Sequence, residues 1–169
     1  DDQLDIAMRG ADVAIWTREP EQPDLIRRQL TTVPIRAFAS TNYVRRFGAP
    51  RSLSELDGHR FVSYGGNPVA HLSAIRWLET ADREGREPRV PVLRVNSVVA
   101  IKYAIRAGIG IGLIPDYLTE EETDLVPVLE NVQLPTMPLI FVYPEELKTA
   151  KKVQVLRDFL VSKARQLKF

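Results

Sequence analysis

Two runs, IGIGLI at residues 109–114 and PLIFV at 138–142, are apolar without alternation. A strand with one wet face alternates apolar and polar side chains, because successive side chains leave on opposite sides. A strand that is apolar throughout must therefore be covered on both sides. Segments with apolar residues at steps of three and four alternate with strand-like runs along the chain and can supply the covers, which argues for α/β layering with helices on both faces of a sheet. Of 169 residues, 44% are hydrophobic and 27% charged, enough to bury a core in one domain or two small lobes.

Along the chain, DVAIW at 12–16 reads as a buried strand leaving into a loop broken by Pro20 and Pro23, and a second strand is expected within 34–39. Ser40 can cap a two-turn helix carrying Tyr43, Val44 and Phe47, with Gly48 as its left-handed stop. Ser52 to His59 repeats that arrangement on a smaller scale, and a strand follows at 60–64. After a turn through Gly65, Gly66, Asn67 and Pro68, the spacing of Leu72, Ile75, Leu78 and Ala81 predicts an amphipathic helix. A strand is expected at 90–95, then a helix at 98–107 capped by Asn96 or Ser97, with Val98, Ile101, Ala104 and Ile105 facing inward. Strands are expected at 125–129 and 139–143. The last helix, from Lys151, should bury Val153, Leu156, Leu160, Ala164 and Leu167.

Gly108, Gly110 and Gly112 fall within five positions. A dinucleotide-binding loop needs GxGxxG after a strand and opening a helix, so that free amides face the pyrophosphate. Here the order is inverted, with a helix before the glycines and a strand after them. Gly108 reads as a positive-φ helix stop, and Gly110 and Gly112 as places where the backbone passes close to another element.

Lysine and arginine number 23 against 22 acidic residues, and the signs are interspersed, so the chain lacks the one-sided positive field of a nonspecific DNA binder. The basic clusters at Arg27 and Arg28, Arg45 and Arg46, 83–89, and Lys151 and Lys152 read as solvated surface. No run approaches the roughly 18 apolar residues of a membrane span and no signal-peptide layout opens the chain, so a cytoplasmic protein without membrane contact is expected. The absence of cysteine excludes disulfides and thiolate chemistry. Two histidines leave little for metal ligation, and no metal site is expected. His59 reads as tying a turn and His71 as opening a helix. Asp1 with Asp2, and 120–122, offer no partnered acid–base pair. No Ser-His-Asp layout or HExxH is present, no cofactor is implied, and no catalytic residue is assigned.

The pattern of Asn96, an apolar helix, then Gly108-x-Gly110-Ile111-x-x-Ile114-Pro115 resembles the effector-binding domain of LysR-type transcriptional regulators. DQLDIAMRGADVAIW, AFASTNYVRRFGAPRSLSELDGHRFVSY, LVPVL, PLIFVYP and KKVQVLRDFL are similar to further family blocks in the same order, from about Asp2 to Ala164. The resemblance implies an α/β fold of the two-lobed, type 2 periplasmic-binding-protein-like kind, with two crossover segments and a small molecule held between the lobes. Residues 1–35 and 131–169 would form the first lobe and 36–130 the second. The family's winged helix-turn-helix, linker helix and opening strand and helix have no counterpart in this sequence, which implies an N-terminally truncated effector domain with an incomplete first lobe. Promoter DNA would be met by the missing part, and the resemblance implies a homo-oligomer.

In open α/β sheets ligands sit beyond the carboxyl ends of strands. On that rule the effector candidates are Trp16, Thr17 and Arg18 after the first strand, Tyr64, Gly65 and Gly66 after the second lobe's strand, and Asn96 and Ser97 at a helix start. Arg18 could grip a carboxylate through two parallel hydrogen bonds, which makes an anion a candidate effector. For Trp16 a core position, for Asn96 and Ser97 simple capping, and for Arg18 a surface role stand as alternatives. A transport solute-binding protein and an enzyme on the same scaffold are the other functions open to this sequence.

Overall fold

A computed structural model describes residues 11–17, 19, 22–65, 74–119 and 122–166. In chain order its elements are β1 (Ala14–Trp16), β2 (Leu25–Ser40), α1 (Thr41–Phe47), β3 (Val62–Tyr64), α2 (Trp77–Thr80), β4 (Leu93–Val95), α3 (Val98–Arg106), β5 (Gly112–Pro115), β6 (Leu125–Val128), β7 (Thr136–Pro144) and α4 (Lys151–Ala164). The described residues divide into two compact units. The first comprises those up to Val33 and from Met137 onward, the second those from Pro34 to Thr136.

In the first unit β7 pairs antiparallel with β1, placing Ala14 opposite Val142 and Trp16 opposite Ile140, and is hydrogen-bonded to β2 on its other side. Alternation sends Ile140 and Val142 to one face, where they pack with Leu25, Ala14 and Trp16. Phe141 and Tyr143 face the other way and meet Val153 and Leu160 of α4 with Ile26 and Leu30 of β2. Both faces of β7 are thus covered, as the unbroken PLIFV run requires. Two expectations are corrected here. The DVAIW strand is not fully buried: among the described residues β1 has a neighbour on one side only, and Ile15 is 52% exposed. Leu156 is exposed together with Val155 and Phe159, because α4 meets the sheet through Val153 and Leu160 and Leu156 lies at the edge of that face. Leu167 lies outside the described residues.

β2 is the largest departure from expectation, a 16-residue strand where 34–39 is anticipated. Its polar stretch RRQLTT hides the strand pattern, and Pro34 reads as a boundary although the strand runs through it. Before Pro34 its sheet partner is β7; beyond it, Ile35–Phe38 pair antiparallel with β5 and Ala37–Ser40 with β6.

The second unit follows the sequence closely at its caps. Ser40 accepts the Tyr43 amide at 3.1 Å, and Gly48 closes α1 at φ +80°. Ile101, Ala104 and Ile105 form the buried stripe of α3, and Gly108 turns the chain at φ +73°. A methyl group added at Gly110 would lie 2.6 Å from the Arg60 carbonyl oxygen, and one at Gly112 would lie 2.8 Å from Ile105 Cδ1. Both are close approaches. At Gly110 the contact lets Ile111 donate to Arg60 and Val62 donate to Ile111, at 2.9 and 2.7 Å, bridging β3 to the segment entering β5. The helix expected from Leu72 is, among the described residues, a 3-10 turn at 74–76 running into the single α-turn of α2, with Ile75, Leu78 and Ala81 all buried; Leu72 lies outside the described residues.

The cluster at 83–89 is not simply solvated. Arg89 is buried and donates to the carbonyls of Leu78, Ala81 and Leu53 at 3.2, 2.6 and 2.9 Å, and to Asp57 at 2.5 Å. The Arg89 hydrogen bond in turn holds the Asp57 carboxyl below its usual range. The polar segment before β4 is thereby tied to the 3-10 turn at Glu55–Gly58.

Gly110→Ala should destabilise the protein by about 1–3 kcal/mol, and more than Gly112→Ala, because backbone cannot move aside as the end of an isoleucine can. Urea unfolding midpoints of the two variants measure the difference; equal losses would remove the close approach as its cause.

Candidate functional site

The parallel pair β3 and β4 places Val62, Ser63 and Tyr64 opposite Leu93, Arg94 and Val95. The Gly65 amide continues the pairing by donating to the Val95 carbonyl at 2.9 Å. This zipped end brings Tyr64 and Gly65 beside Asn96 and Ser97. Ser97, extended at φ −144° and ψ 129°, accepts the Ala100 amide at 3.4 Å and so caps α3. Asn96 and Ser97 are both exposed, at a helix start whose partial positive charge favours negative groups. Gly65 is buried, and an added Cβ would stand 3.1 Å from Arg94 Cβ, so the backbone there approaches its neighbour where a side chain would crowd it.

Behind this end lies a charged group that sequence reasoning missed. Glu79 of α2 is 3% exposed, yet it accepts from Ser63 Oγ at 2.5 Å, from Arg76 Nε and Nη2 at 3.1 and 3.0 Å, and from Arg94 Nη2 at 3.0 Å. Burial by itself would raise its pKa, but the hydrogen bonds from Arg76, Ser63 and Arg94 outweigh that and hold it at about 2. One ionised carboxylate therefore gathers two guanidinium groups and fixes Ser63 and Arg94, the residues next to Tyr64 and Val95. The available signal was an acidic residue beside a buried leucine with arginine three positions earlier, a pattern that also fits an ordinary surface pair.

In the first unit, Trp16 is partly buried against Leu25, Ile140 and Val142, and Thr17 follows it, half-buried. Arg18 and Gly66 lie outside the described residues, as do Asn67, Pro68 and His71. His59 Nδ1 meets the Tyr43 hydroxyl at 3.1 Å, and that hydroxyl also accepts the Arg60 amide at 3.0 Å, so the histidine ties the turn before β3. Burial lowers its pKa, and Glu55 opposes the shift. Among the described residues, no group of three or more histidine, aspartate or glutamate side chains is arranged to hold a metal ion, and no helix is long and apolar enough to cross a membrane. What the strand ends and helix start offer is hydrogen bonding and partial positive charge, the equipment of recognition.

An α/β chain with helix-start and strand-end groups side by side has the arrangement at which open sheets commonly hold ligands. It matches the family model of the LysR substrate binding domain over residues 1–165, and it belongs to that family. Its fold is the mixed α/β, type 2 periplasmic-binding-protein-like fold of LysR regulatory domains. It is 28% identical over 171 residues to the HTH-type transcriptional regulator YhjC of Escherichia coli, covering 95% of this chain and 54% of that protein. The regulatory domain of CrgA, a LysR-type transcriptional regulator from Neisseria meningitidis, superposes with a TM-score of 0.75 at 26% identity, covering 94% of this chain and 78% of that one. The regulatory domain of AphB from Vibrio vulnificus shares the fold, with a TM-score of 0.70 at 20% identity over 96% of this chain and 79% of that one. The chain spans about half the length of the curated relatives it matches.

A carboxyl whose folded pKa lies below its unfolded value adds stability that is complete above the unfolded value and is lost as pH falls through the folded one. For Glu79 the window runs from 4.5 down to about 2. Glu79→Gln should cost on the order of 3 kcal/mol at pH 7, and its deficit against the parent should close across that window. Unfolding curves between pH 7 and 2 test this; a deficit independent of pH would assign the loss to packing.

Proposed function

We propose that this chain is the effector-sensing domain of a LysR-type DNA-binding transcriptional regulator. The observation that carries the reading is the family match over residues 1–165, together with relatives that are themselves HTH-type transcriptional regulators. Those relatives favour regulation over transport, and over catalysis on the same scaffold. In this reading residues 1–35 and 131–169 form one lobe and 36–130 the other. The division of the described residues after Val33 and Thr136 supports two lobes. A small-molecule effector, an anion in the form Arg18 would favour, is held by Trp16, Thr17 and Arg18 of the first lobe and by Tyr64, Gly65, Gly66, Asn96 and Ser97 of the second. The protein works as a homo-oligomer in the cytoplasm, meets promoter DNA through a winged helix-turn-helix, and catalyses nothing. An effector that contacts both lobes favours one arrangement by its differential affinity, and couplings of this kind amount to ~1–3 kcal/mol.

A thermal-shift screen of small carboxylates and aromatic acids tests the reading. A specific effector at a hundred times its Kd should raise stability by about 2.7 kcal/mol. Asn96→Ala and Arg18→Ala should each weaken an anionic hit by about tenfold, the equivalent of one lost charge-assisted contact. Unchanged affinity in both variants would move the site elsewhere, and steady turnover of any hit would replace sensing with catalysis.

A further inference from the structure

Within the first unit, the start of β2 and one flank of α4 border an open groove of about 630 Å³. Four guanidinium groups line it: Arg27 and Arg28 from β2, Arg157 and Arg165 from α4 and its C-cap. Glu19 pairs with Arg27 at 3.3 Å, and Asp158 pairs with Arg157 at 2.8 Å. Arg28 and Arg165 have no ion-pair partner among the described residues. The lining thus carries more guanidinium groups than carboxylates, and a net positive groove attracts an anion. Ser162 adds a hydroxyl to the lining, and the buried Tyr143 also borders it.

We infer that this groove binds a phosphate-bearing small molecule, through residues other than those of the strand-end site. A phosphate monoester carries a charge of about −1.5 to −2 at neutral pH and several acceptor oxygens, matching the unbalanced charge and the forked donors of Arg28 and Arg165. The volume falls in the ordinary range of small-molecule pockets, roughly 300–1,000 Å³, so it has room for a phosphate with or without an organic remainder. The lysine-free lining favours this ligand, since arginine forks fit phosphate through two parallel hydrogen bonds where an ammonium acts as a point charge.

Calorimetric titration of the full chain with glucose 6-phosphate, inorganic phosphate and glucose tests the assignment. Saturable binding of glucose 6-phosphate is expected, none of glucose, and a loss of about tenfold or more in Arg28→Gln/Arg165→Gln. Equal affinity for inorganic phosphate would identify the free ion as the ligand, and weaker affinity an organic phosphate; both support the site. Both arginines are exposed, so the variant's unfolding midpoint should match the parent's, and the single Arg28→Gln variant, expected to bind more weakly, serves if the double variant unfolds. Absence of saturable binding by either phosphate, or undiminished binding in the variants, would overturn the proposal.

Discussion

At Gly110 the main chain lies so close to Arg60 that no side chain fits between them, and the order of the second unit depends on that contact. It allows the Arg60 carbonyl and Val62 amide to pair with Ile111. Through this bridge the parallel pair β3 and β4 is joined to β5, which in turn pairs with β2. Gly108 delivers the chain to this point from α3, and Gly112 lets α3 settle onto β5 through Ile101 and Ile105. The three glycines therefore let α3, β5 and the start of β3 pack against one another. The start of α3 then stands beside the ends of β3 and β4, where Tyr64, Gly65, Asn96 and Ser97 meet.

Two buried charges hold the surroundings of that place. Glu79 draws Arg76, Arg94 and Ser63 together behind β3 and β4, and Arg89 gathers three carbonyls and Asp57 where the chain between α2 and β4 has no regular structure. Each works because its partners satisfy it; a buried charge that loses one partner becomes costly. These networks substitute for the ladder hydrogen bonds and helix length that the segment from Ile75 to Pro91 lacks. They give the ends of β3 and β4 a fixed backdrop.

Much of this was legible in the chain. PLIFV and the latter half of IGIGLI fall in strands buried on both faces, though Ile109 is exposed ahead of β5, the serine caps at Ser40 and Ser97 stand where their hydroxyls can accept amides, and the inverted glycine order identified a packing device in place of a nucleotide loop. Of the candidate site, Tyr64, Gly65, Asn96 and Ser97 are brought to one end of a parallel pair. The extent of β2 was not legible, because half of its length is polar and its pairing partners lie about a hundred residues away. Leu156 misled because helical spacing groups it with Val153 and Leu160 but does not report how far round the helix the sheet's cover extends.

Apolar periodicity, caps and glycine placement are local properties, written in neighbouring residues, and from them the sequence by itself determined the α/β class, the order of most elements and their turns. The burial of Glu79 and Arg89, the exposed outer side of α4 and the convergence of Arg28 with Arg165 were decided by tertiary structure alone. A charge is cheap or costly according to what surrounds it in space, and its surroundings here come from segments that are distant in the chain.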